Sequence, residues 1–166
     1  GITSHSEGYN TKALAGYSHA EGYATRASGN YAHAEGLYTT ATGLTSHVEG
    51  SGTTAFANYS HAEGIDTRTF GYASHAGGSG TTASGVTSFA ITQNSVAGGI
   101  STVVLGSNIT ETTDNTVYVR DLVIKKYQSI PTNSADVGDI GAITWDDTHI
   151  YWKTNSGWLR MSGSTF

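Results

Sequence analysis

The chain has 166 residues, a net charge of −5, 22 glycines, one proline and no cysteine. Without cysteine there is no disulfide scaffold, no thiol nucleophile and no Cys-ligated metal, and the mild acidity argues against nucleic acid as a partner. No apolar run reaches the ~18 residues of a membrane-spanning helix, and the opening at Gly1, in mid-pattern, leads us to expect a piece of a longer protein.

Gly, Ala, Ser and Thr dominate, a mixture compatible with disorder, but their order is strict. His5, His19, His33, His47, His61 and His75 recur every fourteen residues, as do Glu7, Glu21, Glu35, Glu49 and Glu63. Half a unit away, Ala13, Ala27, Ala41, Ala55, Ala83 and Ala97 recur at the same interval, with Thr69 in the gap. The unit is seven residues used twice. One half reads Ser-His-Ala-Glu-Gly-x-x (Ser18 to Ala24) and the other Thr-x-Ala-x-Gly-x-x (Thr25 to Tyr31). The period weakens after Gly78 and is last visible in Thr102-Val103-Val104-Leu105-Gly106, so it covers residues 1–106.

A heptad of small residues is no coiled coil, which needs two large apolar positions per repeat and no periodic glycine. Collagen needs glycine every third residue. Five residues of alternating character followed by a glycine and two variable residues fit a short strand and a tight turn. Two halves then make one coil of a narrow β-solenoid, and some seven coils would give a rod roughly 35 Å long. Alternation places positions one, three and five of each half inside, where only small residues fit, and positions two and four outside. In one strand the outward pair is always His and Glu, whereas in the other it varies (Lys12, Arg26, Thr40; Leu14, Ser28, Thr42). Solvent tolerates variety, so a uniform outward face implies a constraint. A thin interior also buries little apolar surface. Both point to self-association through the His/Glu face, flanked by Tyr17, Tyr31 and Tyr59. A column of carboxylates needs compensation, and the expected partner is the His column of a neighbouring chain, an arrangement that acid should loosen.

Ser18-His19-Ala20-Glu21-Gly22 and Ser60-His61-Ala62-Glu63-Gly64, each followed by a Thr-x-Ala-x-Gly-type half, resemble the head repeats of YadA-like trimeric adhesins, as also found in phage tail and virion fibre proteins. The resemblance implies a left-handed parallel β-roll with three chains side by side. Asp114-Asn115-Thr116-Val117-Tyr118-Val119 looks like the connector that follows such heads in phage fibres. Ile143-Thr144-Trp145-Asp146 and Gly157-Trp158-Leu159-Arg160 are similar to short β-rich ends of such fibres. The chain shows neither the coiled-coil stalk nor the membrane barrel of a bacterial adhesin, so the expectation is a virion fibre tip or a piece of one.

After Gly106 the composition shifts, with all three Trp and five of the eight Lys/Arg. We expect a connector strand over 107–128 (within it Val117 to Lys125), a break at Ile130-Pro131-Thr132, and a small antiparallel meander over 129–166. Its strands are Ile140 to Trp145, Ile150 to Thr154 and Gly157 to Ser162, with turns at Asp146-Asp147-Thr148 and Asn155-Ser156-Gly157. So small a unit is expected to pack on its symmetry mates and on the end of the roll. There the outward positions turn apolar (Phe89, Ile91, Val103, Leu105), as a plug capping the solenoid.

Other chemistries fare poorly. His-x-Glu in zinc deaminases needs Pro-Cys-x-x-Cys, His-Glu-x-x-His is absent, and a catalytic site is built once rather than five times. Gly77-Gly78-Ser79-Gly80 lacks the lysine of a phosphate loop. The Thr column (Thr11, Thr25, Thr39, Thr53, Thr67, Thr81) would suit ice binding only if it faced outward. The chain therefore reads as an all-β, non-enzymatic protein without cofactor or metal. It is expected to be a homotrimeric structural and adhesive fibre of a virion, or extracellular at a cell surface, contacting other virion proteins and a host glycan or protein, with no nucleic acid and no membrane insertion. The alternative is the head of a bacterial trimeric autotransporter adhesin. The expected interface is His5, Glu7, His19, Glu21, His33, Glu35, His47, Glu49, His61, Glu63, His75, Phe89, Ile91, Val103 and Leu105. Trp145, Tyr151, Trp152 and Trp158 read first as the meander's core and second as a receptor-contact platform.

Overall fold

The structure, a computed structural model, describes residues 2–120, 143–145 and 149–162, and the regular elements among them are all strands. The chain divides into two compact units, Gly1–Leu122 and Val123–Phe166.

The first unit is a parallel β-solenoid of fourteen-residue coils. Each coil gives one strand to each of two sheets. One sheet, of nine strands, runs from His5–Tyr9 through His19–Tyr23 and His33–Leu37 to Val117–Val119; the other, of eight shorter strands, runs from Lys12–Ala13 to Thr110–Glu111. The register never slips: His19 opposes His33, Glu21 opposes Glu35 and Arg26 opposes Thr40. Strand N–H groups donate forward, as from His19 N to Ala32 O (2.9 Å), and turn N–H groups donate backward, as from Ala24 N to Tyr9 O (2.8 Å). Each coil is thus bonded to both neighbours through its own backbone, and identical side chains are stacked in columns.

The interior is as narrow as the sequence requires. Ala20, Ala34, Val48, Ala62, Ala76, Ala90 and Val104 fill it from one sheet, and Ala27, Ala41, Ala55, Thr69, Ala83 and Ala97 from the other. Thr25, Thr39, Thr53, Thr67 and Thr81 are buried too, which removes the basis for an ice-binding face. Inner hydroxyls satisfy turn carbonyls: Ser46 Oγ donates to Gly43 O (2.8 Å) and Ser60 Oγ to Ala57 O (2.7 Å), which ties each turn to the strand that follows it.

The permissive backbone expected of the turn glycine is used in the His half, where Gly8, Gly22, Gly36, Gly50, Gly64 and Gly78 have φ between +98° and +114°. The second variable residue is left-handed as well, with positive φ every seventh position from Thr3 to Asn115, including Tyr17, Ala24, Tyr31 and Tyr38 at +55° to +58°. The glycine of the His half, expected inside, is exposed at Gly22 and Gly36, because at φ +111° and +104° the backbone leaves the extended conformation and the inside/outside alternation ends with it. It is needed for another reason. At Gly36, φ is +104° and a Cβ would lie 2.2 Å from Gly50 O of the next coil. Thr92 holds the same column position at φ +116°, a conformation that strains a β-branched residue. Thr92→Gly is therefore expected to stabilise the fold by about 1 kcal/mol. A urea midpoint unchanged or lowered in the variant would show that no such strain is present.

The coils also run past residue 106. Thr110–Glu111 pairs with Val96–Ala97, and Val117–Val119 pairs with Val103–Leu105, so the first part of the expected connector is a continuation of the solenoid. Larger residues at the inward columns (Ile109, Glu111 and Tyr118, where earlier coils carry Ser/Thr, Ala and Ala/Val) had masked the period.

The second unit holds a three-stranded antiparallel sheet, Ile143–Trp145, His149–Thr154 and Gly157–Ser162. Asn155 and Ser156 form the expected turn, in which Thr154 Oγ1 accepts from Ser156 N (3.2 Å) and donates to Gly157 O (2.8 Å). The expected break at Ile130-Pro131-Thr132, the turn at Asp146-Asp147-Thr148 and the expected strand segments at 121–125 and 140–142 lie outside the described residues.

Candidate functional site

Strict register in a parallel sheet turns each outward residue type into a ladder. The imidazoles of His5, His19, His33, His47, His61 and His75 stack at centroid separations of 4.7–5.1 Å, the four from His19 to His61 with rings within 26° of parallel. The carboxylates form the adjacent column. His and Glu from His19 to His75 are half-buried on the outside of the sheet, and His5 and Glu7 of the first coil are exposed.

Each of the five carboxylates lies beside an imidazole of its own chain. His5, His19 and His33 each face the Glu two residues on in their own strand, at 3.5, 3.3 and 3.9 Å (Nε2 to carboxylate O). Further along, the pairing changes hands: His61 faces Glu49 (3.6 Å) and His75 faces Glu63 (3.3 Å), each on the preceding coil. His47 sits where the two arrangements meet and forms no ion pair, and its Nε2 is shielded from solvent without a hydrogen-bond partner. Gly77 ends the acidic column. A Cβ there would lie 3.0 Å from Glu63 Oε1, so the glycine leaves room for Glu63 to lie against His75.

Burial sets the charge state of this ladder. Desolvation, helped by the neighbouring imidazoles, holds His33, His47 and His61 below the usual histidine pKa of 6.5 against the opposing pull of Glu21, Glu35, Glu49 and Glu63. Desolvation also raises Glu35 above 4.5, opposed by His33 and reinforced by Glu49 and Glu21. The lowered histidines contribute stability that is fully present above pH 6.5 and lost as pH falls through their folded values. Glu35 has the opposite sign: its contribution is present below pH 4.5 and lost as pH rises through its folded value. Three groups outweigh one, so the urea midpoint is expected to fall on acidification below pH 6.5 and to recover partly towards pH 4.5. A midpoint that rises between pH 7 and pH 6 would contradict this assignment.

Beyond His75 the same columns turn apolar. Phe89 stacks on His75 (4.9 Å) and opposes Val103, which opposes Val117, while Ile91 opposes Leu105, which opposes Val119. The expected plug is not what these residues form. They are outward and half-buried, with Val117 and Val119 exposed, because they occupy the outward parity of strands that the solenoid continues. Thirteen of the fifteen residues of the expected interface therefore lie on one face of one sheet, and Glu49 and Glu63 directly follow its strands His47–Val48 and His61–Ala62.

No protein-family profile matches the chain, and no curated protein is significantly similar to it.

The opposite sheet carries Lys12, Arg26 and Arg68 and the stacked rings of Phe56 and Phe70 (4.8 Å) in no uniform pattern. Tyr17 and Tyr31 stack at 5.0 Å along the turn leading into the His strand. In the second unit the aromatic set divides. Tyr151 and Trp158 are buried, with Lys153 Nζ 5.6 Å from the Trp158 ring centre. Cross-strand register puts Ile143, Trp152 and Leu159 in one row and Trp145, Ile150 and Met161 in the next, both on the face opposite Tyr151 and Trp158. Of these six, all but the half-buried Trp145 are exposed. Of the four aromatic candidates, only Trp145 and Trp152 share this open face, since alternation sends Tyr151 and Trp158 to the far side.

Proposed function

We propose that this protein is a trimeric structural and adhesive fibre of a virion, resembling YadA-like head repeats, without enzymatic activity, in which three solenoids pack through their His/Glu faces. The observation that carries the reading is the single outward face, uniform over its acidic coils and apolar over the last ones, laid on an interior of Ala, Ser and Thr. So thin an interior buries little apolar surface per residue. Closed rotational symmetry would cover one such patch on every chain at once. The open apolar face of the C-terminal sheet fits the same assembly, since so small a unit buries too little apolar surface to be stable alone. In this reading the varied opposite sheet and the tyrosine-lined turns are left to the environment and to a host-surface glycan or protein.

Light scattering on the native protein, with an unboiled denaturing gel alongside, tests this. Three times the chain mass, retained in detergent, is the expected result. A monodisperse monomer would overturn the reading and leave a lone solenoid whose uniform face is a free surface.

A further inference from the structure

The break in the pairing pattern creates a site that the rest of the ladder lacks. In the first coils each imidazole is matched to one carboxylate of its own strand. At His61 the two arrangements overlap, and its ring lies between Glu49 of the preceding coil and Glu63 of its own strand. One donor atom from each of the three residues falls within 4.8 Å of the others, the only such set of three among the described residues. His61 Nε2 is shielded from solvent and has no hydrogen-bond partner, since its 3.6 Å approach to Glu49 is an ion-pair distance only. The unpaired Nε2 of His47 lies one coil away, on a ring parallel to His61 within 2° and 4.7 Å from it.

We infer that Glu49, His61 and Glu63 form a binding site for a divalent transition-metal ion of the zinc class, one per chain. The chemistry of the set supports this. Two carboxylates around an imidazole leave two negative charges, which a divalent cation neutralises. Imidazole nitrogen is a common metal ligand. Ligand atoms at about 2.1 Å from a zinc ion lie roughly 3–4 Å apart, so the three donors need to close by about 1 Å, a change within the reach of side-chain torsions. Nitrogen with carboxylate oxygen selects zinc, cobalt or nickel over magnesium or calcium, which take oxygen alone. Half-exposure of the three residues leaves the remaining coordination positions to water or to a ligand from outside the chain. All three ligands belong to one chain, so a single chain suffices to hold the ion; in the proposed trimer, which packs through this face, the remaining coordination positions would turn to the neighbouring chains.

The test is equilibrium dialysis of the full chain against micromolar Zn²⁺, and separately Mg²⁺, with metal measured per chain. The expected result is one zinc and no magnesium, with affinity weakened at least about tenfold in His61→Gln and Glu63→Gln and unchanged in His19→Gln. Zinc that the wild type fails to retain, or retains equally well in His61→Gln, overturns the inference. Should a variant fold poorly by circular dichroism, X-ray absorption at the zinc edge of the wild type decides. Scattering from one imidazole, or two if His47 joins, with carboxylate oxygens supports the site, and three or more imidazoles overturn it in favour of loading along the whole ladder.

Discussion

Gly36→Val is expected to lower the stability of the fold by about 3 kcal/mol or more, enough to unfold a marginal domain. Two costs add at this position. The backbone stands at φ +104°, which a β-branched residue adopts only under strain. The new Cβ would also sit 2.2 Å from Gly50 O and 3.0 Å from Gly50 N. Those atoms belong to the backbone of the next coil, so relief requires separating two coils and breaking the bonds between them. Gly36 has coils on both sides, Gly22 behind and Gly50 ahead, and no free edge to move into. Chemical denaturation followed by circular dichroism measures the effect. A loss below about 1 kcal/mol would mean that the ladder yields more readily than its register implies. Thr92, in the same column, sets the scale from the other side, since its replacement by glycine is expected to stabilise.

Phe89→Asp combined with Leu105→Asp is expected to convert the proposed trimer to monomers while leaving the solenoid folded. Both side chains point outward and are half-buried in the single chain, so the substitutions remove little from the interior formed by Ala90 and Val104. In the assembly they would place three copies of each new carboxylate in an apolar contact, and an unpaired buried charge costs several kcal/mol. The readout is native mass by light scattering, with β-sheet signal as the control for folding. A doubly substituted protein that keeps three times the chain mass would show that this stretch of the face lies outside the contact, whatever the His/Glu stretch does.

Much of this molecule could be read directly. Ser18-His19-Ala20-Glu21 and Thr25-Arg26-Ala27 alternate in character, and alternation maps onto inside and outside in a strand without further information. A repeat of fourteen with no insertion from residue 1 to 106 also leaves one register, so the His and Glu columns follow from counting. The coil over 107–119 is not legible from the period, because Ile109, Glu111 and Tyr118 stand where small residues mark it elsewhere. Its signal was there in Asn94, Asn108 and Asn115, an amide residue tolerant of left-handed backbone at multiples of seven.

Other features required the assembled coils. Tyr17, Tyr31 and Tyr38 are poor candidates for positive φ on their own, and the turn imposes it because their N–H groups bond back to the preceding coil. The split of Tyr151 and Trp158 from Trp152 depends on strand register across the meander. Most of all, the coils from His19 to His61 share one composition, so each of these imidazoles has a Glu two residues on and another on the coil before it. Sequence determined that these columns exist, because periodicity and parity act locally. Which carboxylate each histidine takes, and hence that His47 is left alone and His61 is held between two, was decided by tertiary structure, because near-degenerate electrostatic pairings are resolved only by small differences in space, such as the gap that Gly77 leaves beside Glu63.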